Sequence, residues 1–147
     1  MAPQLWLLRH GEAVPHESKP DADRELTPRG ERQALAAGAG LAQLGIEFDA
    51  CYTSPKVRAR DTARIACAEL GVDVTEEPAL QGGPFDPRDI AGDLDEVLLV
   101  GHDPDFSAAV HSLTGAQVRM KKGGLAGIDR GELIVLMRPR ELRLISS

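Results

Sequence analysis

Aromatic side chains are nearly absent from this chain of 147 residues, at 3%. A core without them must be built from Leu, Val, Ile and Ala. Binding of single-stranded nucleic acid through stacking platforms is also disfavoured. Excess positive charge is lacking as well. The formal net charge is −6, which repels nucleic acid and anionic membranes at long range. No apolar run approaches a membrane span, and the N-terminus has neither the basic region nor the cleavage site of a signal peptide, so a cytoplasmic location is expected. The only two cysteines, Cys51 and Cys67, lack metal-type spacing and read as buried, reduced thiols.

The remaining composition, 42% hydrophobic and 27% charged, is that of an ordinary globular chain, and its length fits one domain over 1–147. Strand and helix signals alternate along it. Gln4 to Leu8 reads as a buried strand and Val14 to Glu25 as a polar loop. Thr27-Pro28 reads as an N-cap followed by proline at the first helical position, opening a helix to about Leu44. Ala50 to Thr53 is a strand, and Ser54-Pro55 repeats the cap-plus-proline signature for a helix to about Leu70. Val72 to Thr75, Glu96 to Val100, Val118 to Lys121, Leu125 to Asp129, Leu133 to Met137 and Leu142 to Ile145 read as further strands. A short helix ends near Leu94 and another runs from Gly101-His102-Asp103-Pro104 to Leu113. The pattern implies a three-layer α/β/α sandwich with a mixed, mostly parallel central sheet.

Chemistry concentrates where strands end. Arg9-His10-Gly11 closes the first strand, Ser54-Pro55 with Arg58 follows another, and Gly101-His102 a third. In open α/β sheets the carboxyl ends of strands are where ligands bind. Arginine offers a rigid fork of donors to a phosphoryl group, and neutral imidazole is a nucleophile near pH 7. Two histidines and two arginines in such a pocket suit phosphoryl transfer through a phosphohistidine, with the arginines supplying the cationic field and no metal or other cofactor required.

Four ordered segments carry a resemblance to the histidine phosphatase superfamily, and within it to the small bacterial phosphohistidine phosphatases of the SixA type. They are Leu7-Leu8-Arg9-His10-Gly11-Glu12, Leu26-Thr27-Pro28-Arg29-Gly30, the run from Thr53 to Ala63, and Leu99-Val100-Gly101-His102-Asp103-Pro104. Asp61 stands where glutamine is usual in that pattern, and Asp103 where asparagine is usual. The resemblance implies that His10 is the phosphorylated nucleophile, that Arg9 and Arg58 clamp the phosphoryl oxygens, and that His102 donates to the phosphoryl group. Gly11 would contribute to phosphate binding and Arg24 would lie near the pocket rim. Arg60, two residues from Arg58, is expected in solvent.

The function so implied is a phosphoric monoester or phosphohistidine hydrolase acting on a phosphorylated protein, for instance a histidine phosphotransfer domain. A phosphatase or mutase for small phosphate esters is the nearest alternative. A non-catalytic binder of phosphohistidine or phosphate belongs to another class, and the presence of His10 speaks against it. His10, Glu12, His102, Asp103 and Asp105 have metal-ligand chemistry, but in no recognised metal spacing and among arginines that repel a cation. His16 and the Lys121-Lys122 pair read as solvated, the pair with the further option of an acidic partner, and His111 reads as a helix-surface residue. No securely placed general acid is evident; Asp86 and Asp89 are the nearest candidates.

Overall fold

The computed structural model describes residues 3–147. Six strands form one sheet in the order β3-β2-β4-β1-β5-β6. They are β1 (Gln4–Arg9), β2 (Ala50–Thr53), β3 (Val74–Glu76), β4 (Glu96–Gly101), β5 (Leu125–Asp129) and β6 (Glu132–Met137). The first four pair in parallel, whereas β5 joins β1, and β6 joins β5, antiparallel.

The five helices are α1 (Pro28–Gln43), α2 (Val57–Leu70), α3 (Pro87–Ala91), α4 (Asp105–Thr114) and α5 (Pro139–Ser146). Alternation along β1 explains how they divide. Trp6 and Leu8 face a core shared with Ala37 and Leu41 of α1, Ala63 and Ala66 of α2 and Leu142 of α5. Leu5 and Leu7 face the other core, with Ala91 of α3 and Phe106 and Val110 of α4. Side chains two apart on a strand share a face, so a run apolar at every position serves two cores. Few aromatics are needed, because Ala34, Ala37, Ala59, Ala63 and Ala66 let the helices lie close to the sheet and each other.

Capping sets the helix boundaries. Thr27 accepts a hydrogen bond from Gly30 N (3.1 Å), with Pro28 in the first turn, as its sequence implies. Helix α2 starts later than Ser54-Pro55 indicates, at Val57, because Ser54 Oγ accepts from Lys56 N (3.2 Å) in a turn before the helix. β3 begins at Val74 rather than Val72, whose N–H bonds Cys67 O at the end of α2.

Two expected strands are absent. Val118 to Lys121 runs as an irregular segment, because its polar groups bond side chains instead of a ladder: Met120 O accepts from Arg9 Nη1 (2.8 Å) and Met120 N donates to Ser107 Oγ (3.1 Å). Leu142 to Ile145 lies inside α5, which Pro139 opens and whose first turn is fixed by Glu141 Oε1 accepting from Arg138 N (2.9 Å). Leu142 is buried against Gly40 of α1, while Leu144 is 64% exposed, the signature of a helix with one buried stripe.

Two glycines bring α1 against the loop that follows β1. A Cβ on Gly11 would sit 2.6 Å from Gly30 O, and one on Gly30 would sit 2.0 Å from Glu12 O. Only glycine at both positions permits this backbone-to-backbone approach.

Candidate active site

The parallel strands β1, β2 and β4 end side by side, and the residues just beyond them define a cleft. Arg9 pairs with Gly101 across the β1–β4 ladder, and His10 N donates to Gly101 O (3.0 Å). Gly123 N donates to the carbonyls of Arg9 (3.1 Å) and His10 (2.9 Å), holding the strand end from the β5 side. Gly11 N donates to Thr62 Oγ1 (3.1 Å), which in turn donates to Arg58 O (2.7 Å), tying the loop to α2. These bonds fix the backbone under His10 in several directions.

The His10 ring is fixed as well. Its Nδ1 lies 2.7 Å from Gly11 O. A carbonyl oxygen can only accept, so Nδ1 carries the proton and Nε2 keeps its lone pair. Burial pushes the pKa of His10 down to about 3, reinforced by the charges of His102, Arg58 and Arg9 and opposed by the bond to Gly11. The His102 ring stands 5.1 Å away, centroid to centroid, with Nε2 2.7 Å from Ser54 Oγ. Burial, followed by the charges of Arg58 and Lys56, lowers His102 to about 3 also.

Two buried neutral histidines make stability depend on pH. Unfolded, each takes up a proton near pH 6.5, whereas folded it stays neutral down to about pH 3. Between those values the unfolded chain binds more protons, so stability falls as pH falls, each ring adding up to ~1.4 kcal/mol per pH unit. Urea unfolding from pH 7.5 to 4.5 should show this slope, and His102→Gln should remove about one proton of it. A flat profile would mean that the rings ionise freely in the fold. Asp21 does not confound this window, since its lowered carboxyl pKa acts only below the ordinary aspartate range.

The cleft has a volume of about 270 Å³ and gathers Arg9, His10, Arg24, Arg58 and His102. Gly11, expected at the phosphate, does not line it, and its N–H is taken by Thr62 Oγ1. Arg24, nearly buried, donates to Val14 O (2.9 Å) and to Asp21 Oδ1 (3.1 and 3.2 Å). Arg58 reaches Asp21 through its backbone carbonyl (2.7 Å) and Oδ2 (3.3 Å). Among the described residues, three buried side-chain nitrogens have no hydrogen-bond partner: Arg9 Nε, Arg58 Nε and His102 Nδ1. All three belong to residues of this one cleft.

Asp21 and Lys56 were not legible as site residues. Asp21 accepts from Arg24, Arg58 and Lys56, the last at 2.9 Å, and the Lys56 ammonium beside it holds its carboxyl well below the usual range. The Asp21–Arg24 spacing within a polar loop was the only local sign. Lys56 and Lys122 both line the cleft.

Other candidates are placed elsewhere or differently than expected. Asp86 caps α3 through Arg88 N (2.9 Å) and pairs with the Arg88 side chain, while the carboxylates at the cleft are Asp103 and Asp105. Asp103 accepts from Ser107 N (2.9 Å) and Oγ, an anchor for α4. Arg60 is half-buried rather than free in solvent, 3.4 Å from Asp61 and outside the cleft. His16 is exposed but stands on the cleft rim, and His111 is exposed on α4. Cys51 and Cys67 are buried and unbridged. Among the described residues no three His, Cys, Asp or Glu side chains gather in a metal-binding group, and none of the helices is long and apolar enough to cross a membrane.

A family model described as the histidine phosphatase superfamily, branch 1, matches residues 5–86. An uncharacterized protein of Picosynechococcus sp. is 35% identical over 163 aligned positions, covering 95% of this chain and 98% of its own. The 2,3-bisphosphoglycerate-dependent phosphoglycerate mutase 1 of Nitrosomonas europaea is 40% identical over 72 residues, which is 47% of this chain but only 31% of that enzyme. The SixA structure of Agrobacterium tumefaciens superposes with a TM-score of 0.85 at 22% identity, covering 95% of this chain and 99% of the other. The protein histidine phosphatase SixA complexed with tungstate gives 0.79 at 21% identity, over 95% and 99% of the respective chains. At such identity the two structures establish the fold.

Proposed function

This chain belongs to the histidine phosphatase superfamily, branch 1, and from that premise we propose that it is a metal-independent phosphatase removing the phosphoryl group from phosphohistidine on a protein, through a phosphohistidine on His10. The observation that carries this reading is His10 itself. It is buried, neutral, and pinned through Nδ1 so that Nε2 bears the lone pair, within a cleft that also holds Arg9, Arg58 and His102.

In the first step His10 Nε2 attacks phosphorus and the P–N bond to the substrate imidazole breaks, the leaving nitrogen taking a proton from solvent water. In the second, water attacks phosphorus and returns a proton to solvent, the His10 Nε2–P bond breaks, and inorganic phosphate leaves with the water's oxygen. Arg9 and Arg58 spread the charge of the transferring group. His102 lines the same cleft, its Nε2 2.7 Å from Ser54 Oγ, and supports the phosphoryl group from the β4 side. The unpartnered Arg9 Nε, Arg58 Nε and His102 Nδ1 favour an anionic ligand with several acceptor oxygens.

Leaving-group chemistry supports phosphohistidine over alcohol phosphates. Imidazole, with a pKa of about 6.5, departs readily near neutrality. An alkoxide is nearly as basic as hydroxide, whose parent water has a pKa of about 15.7, and needs an acid to protonate it. Asp103 is engaged by Ser107. Asp105 lines the cleft with no hydrogen bond to its carboxylate among the described residues, which favours a second reading, hydrolysis of small phosphate esters with Asp105 as acid.

Kinetics separate the two. A phosphohistidine domain should be turned over with kcat/KM at least about 100-fold above that of a sugar phosphate, undiminished in EDTA. Comparable efficiency on both would move the small-ester reading to first place, and loss of activity in EDTA would overturn the metal-free mechanism.

A further inference from the structure

Beyond the catalytic cleft, the molecule carries a basic groove that its overall charge conceals. The groove lies between the first turns of α1 and the start of α5, with volumes of about 460 and 310 Å³ in two adjoining sections. Arg29, Arg32, Lys121, Lys122, Arg140 and Arg143 line it, and all six are exposed. Arg29, Arg32, Lys121, Lys122 and Arg143 make no ion pair among the described residues, and Arg140 stands 3.7 Å from Glu141. The one carboxylate in the lining, Glu12, accepts from Thr27 Oγ1 (2.9 Å). On a chain of net charge −6, such a concentration of cations leaves the rest of the surface still more acidic.

We propose that this groove docks an acidic segment of the phosphoprotein substrate, beside the phosphohistidine held in the cleft. The inference rests on the proposed function and adds the chemistry of the partner. Arg9 and Lys122 line both groove and cleft, so the two are continuous. A cleft of about 270 Å³ admits a phosphorylated side chain but not the domain that bears it. The surface around that side chain must therefore rest on the rim, where this groove meets it with positive charge. Complementary charge at a rim governs encounter rate and salt dependence more than the chemical step. The acidic remainder of the surface works against a long polyanion such as nucleic acid, which would extend beyond the groove.

The test uses peptides carrying a hydrolysis-resistant phosphotriazole mimic of phosphohistidine, flanked either by Asp and Glu or by Ser and Gln. Fluorescence anisotropy should show the acidic peptide bound at least about 10-fold more tightly, with the difference lost at about 0.5 M salt. A triple variant, Arg32→Ser, Arg140→Ser and Arg143→Ser, should abolish the difference, and lysine at the same three positions should restore it. None of the three lines the cleft, so hydrolysis of the small donor phosphoramidate should stay within about 2-fold of the parent, which also reports folding. Equal affinity for the two peptides, or tighter binding of duplex DNA or phosphatidylserine vesicles, would overturn the docking proposal. Failure to hydrolyse the true phosphohistidine peptide, with flank-dependent binding retained, would overturn the proposed function and leave the groove's preference standing.

Discussion

Replacing His10 with alanine is expected to abolish turnover, with a loss on the order of 10⁵-fold or more, the scale seen when a covalent nucleophile is removed. Rapid acid-free quench of the parent with ³²P-labelled substrate should trap one phosphate on His10, stable to base and lost in acid. The magnitude follows from how the ring is held: no other described imidazole combines burial, a carbonyl-fixed Nδ1 proton and a place among the arginines. His102 has no such carbonyl and bonds Ser54 instead. His10→Ala should retain a folded spectrum, since truncating a ring at the cleft removes little apolar packing. Normal turnover by that variant, or label recovered on another residue, would eliminate the covalent mechanism.

Arg58→Lys is expected to reduce kcat/KM by roughly 10²- to 10³-fold, comparable with removal of one transition-state donor. An ammonium is a point charge and cannot reproduce a planar fork. The Arg58 side chain is nearly buried and is held by two contacts to Asp21, so the guanidinium is oriented before any ligand arrives. Arg60→Lys, on a neighbouring helix position facing Asp61, should change kcat/KM by less than about 3-fold. Steady-state kinetics on the same substrate settles it. Equal losses at both positions would remove Arg58 from its role as phosphate clamp.

Local signals made much of this molecule readable. Residues 5–8 are apolar at every position, which marks a strand buried on both faces, and β1 indeed lies between two cores, one on each face of the sheet. Thr27-Pro28 set the start of α1 because an N-cap needs only its own turn. Arg9, His10 and His102 could be placed together because strand ends in such sheets converge. What escaped depends on contacts distant in sequence. Asp21 matters through Lys56 and Arg58, and nothing in the loop from Val14 to Glu25 announces partners on another helix. Residues 118–121 have the apolar alternation of a strand, but their backbone groups bond Arg9 and Ser107. For α5, the short apolar run Leu142 to Ile145 after Pro139 has the look of a strand, whereas Pro139 and Glu141 open a helix that buries only one side of it.

The position of β1 bears on how the chain is made. Synthesis delivers this strand before the other five, yet it belongs in the middle of the sheet, between β4 and β5. Its parallel neighbour is complete only once Gly101 has been added, and its antiparallel neighbour only once Asp129 has. Until then an apolar strand stands with both edges open, the condition under which nascent chains invite chaperones or aggregate. Arg9 meets the Met120 carbonyl only late in elongation. The side chains of the cleft, from Arg9 to Lys122, therefore come together only once most of the polypeptide has emerged.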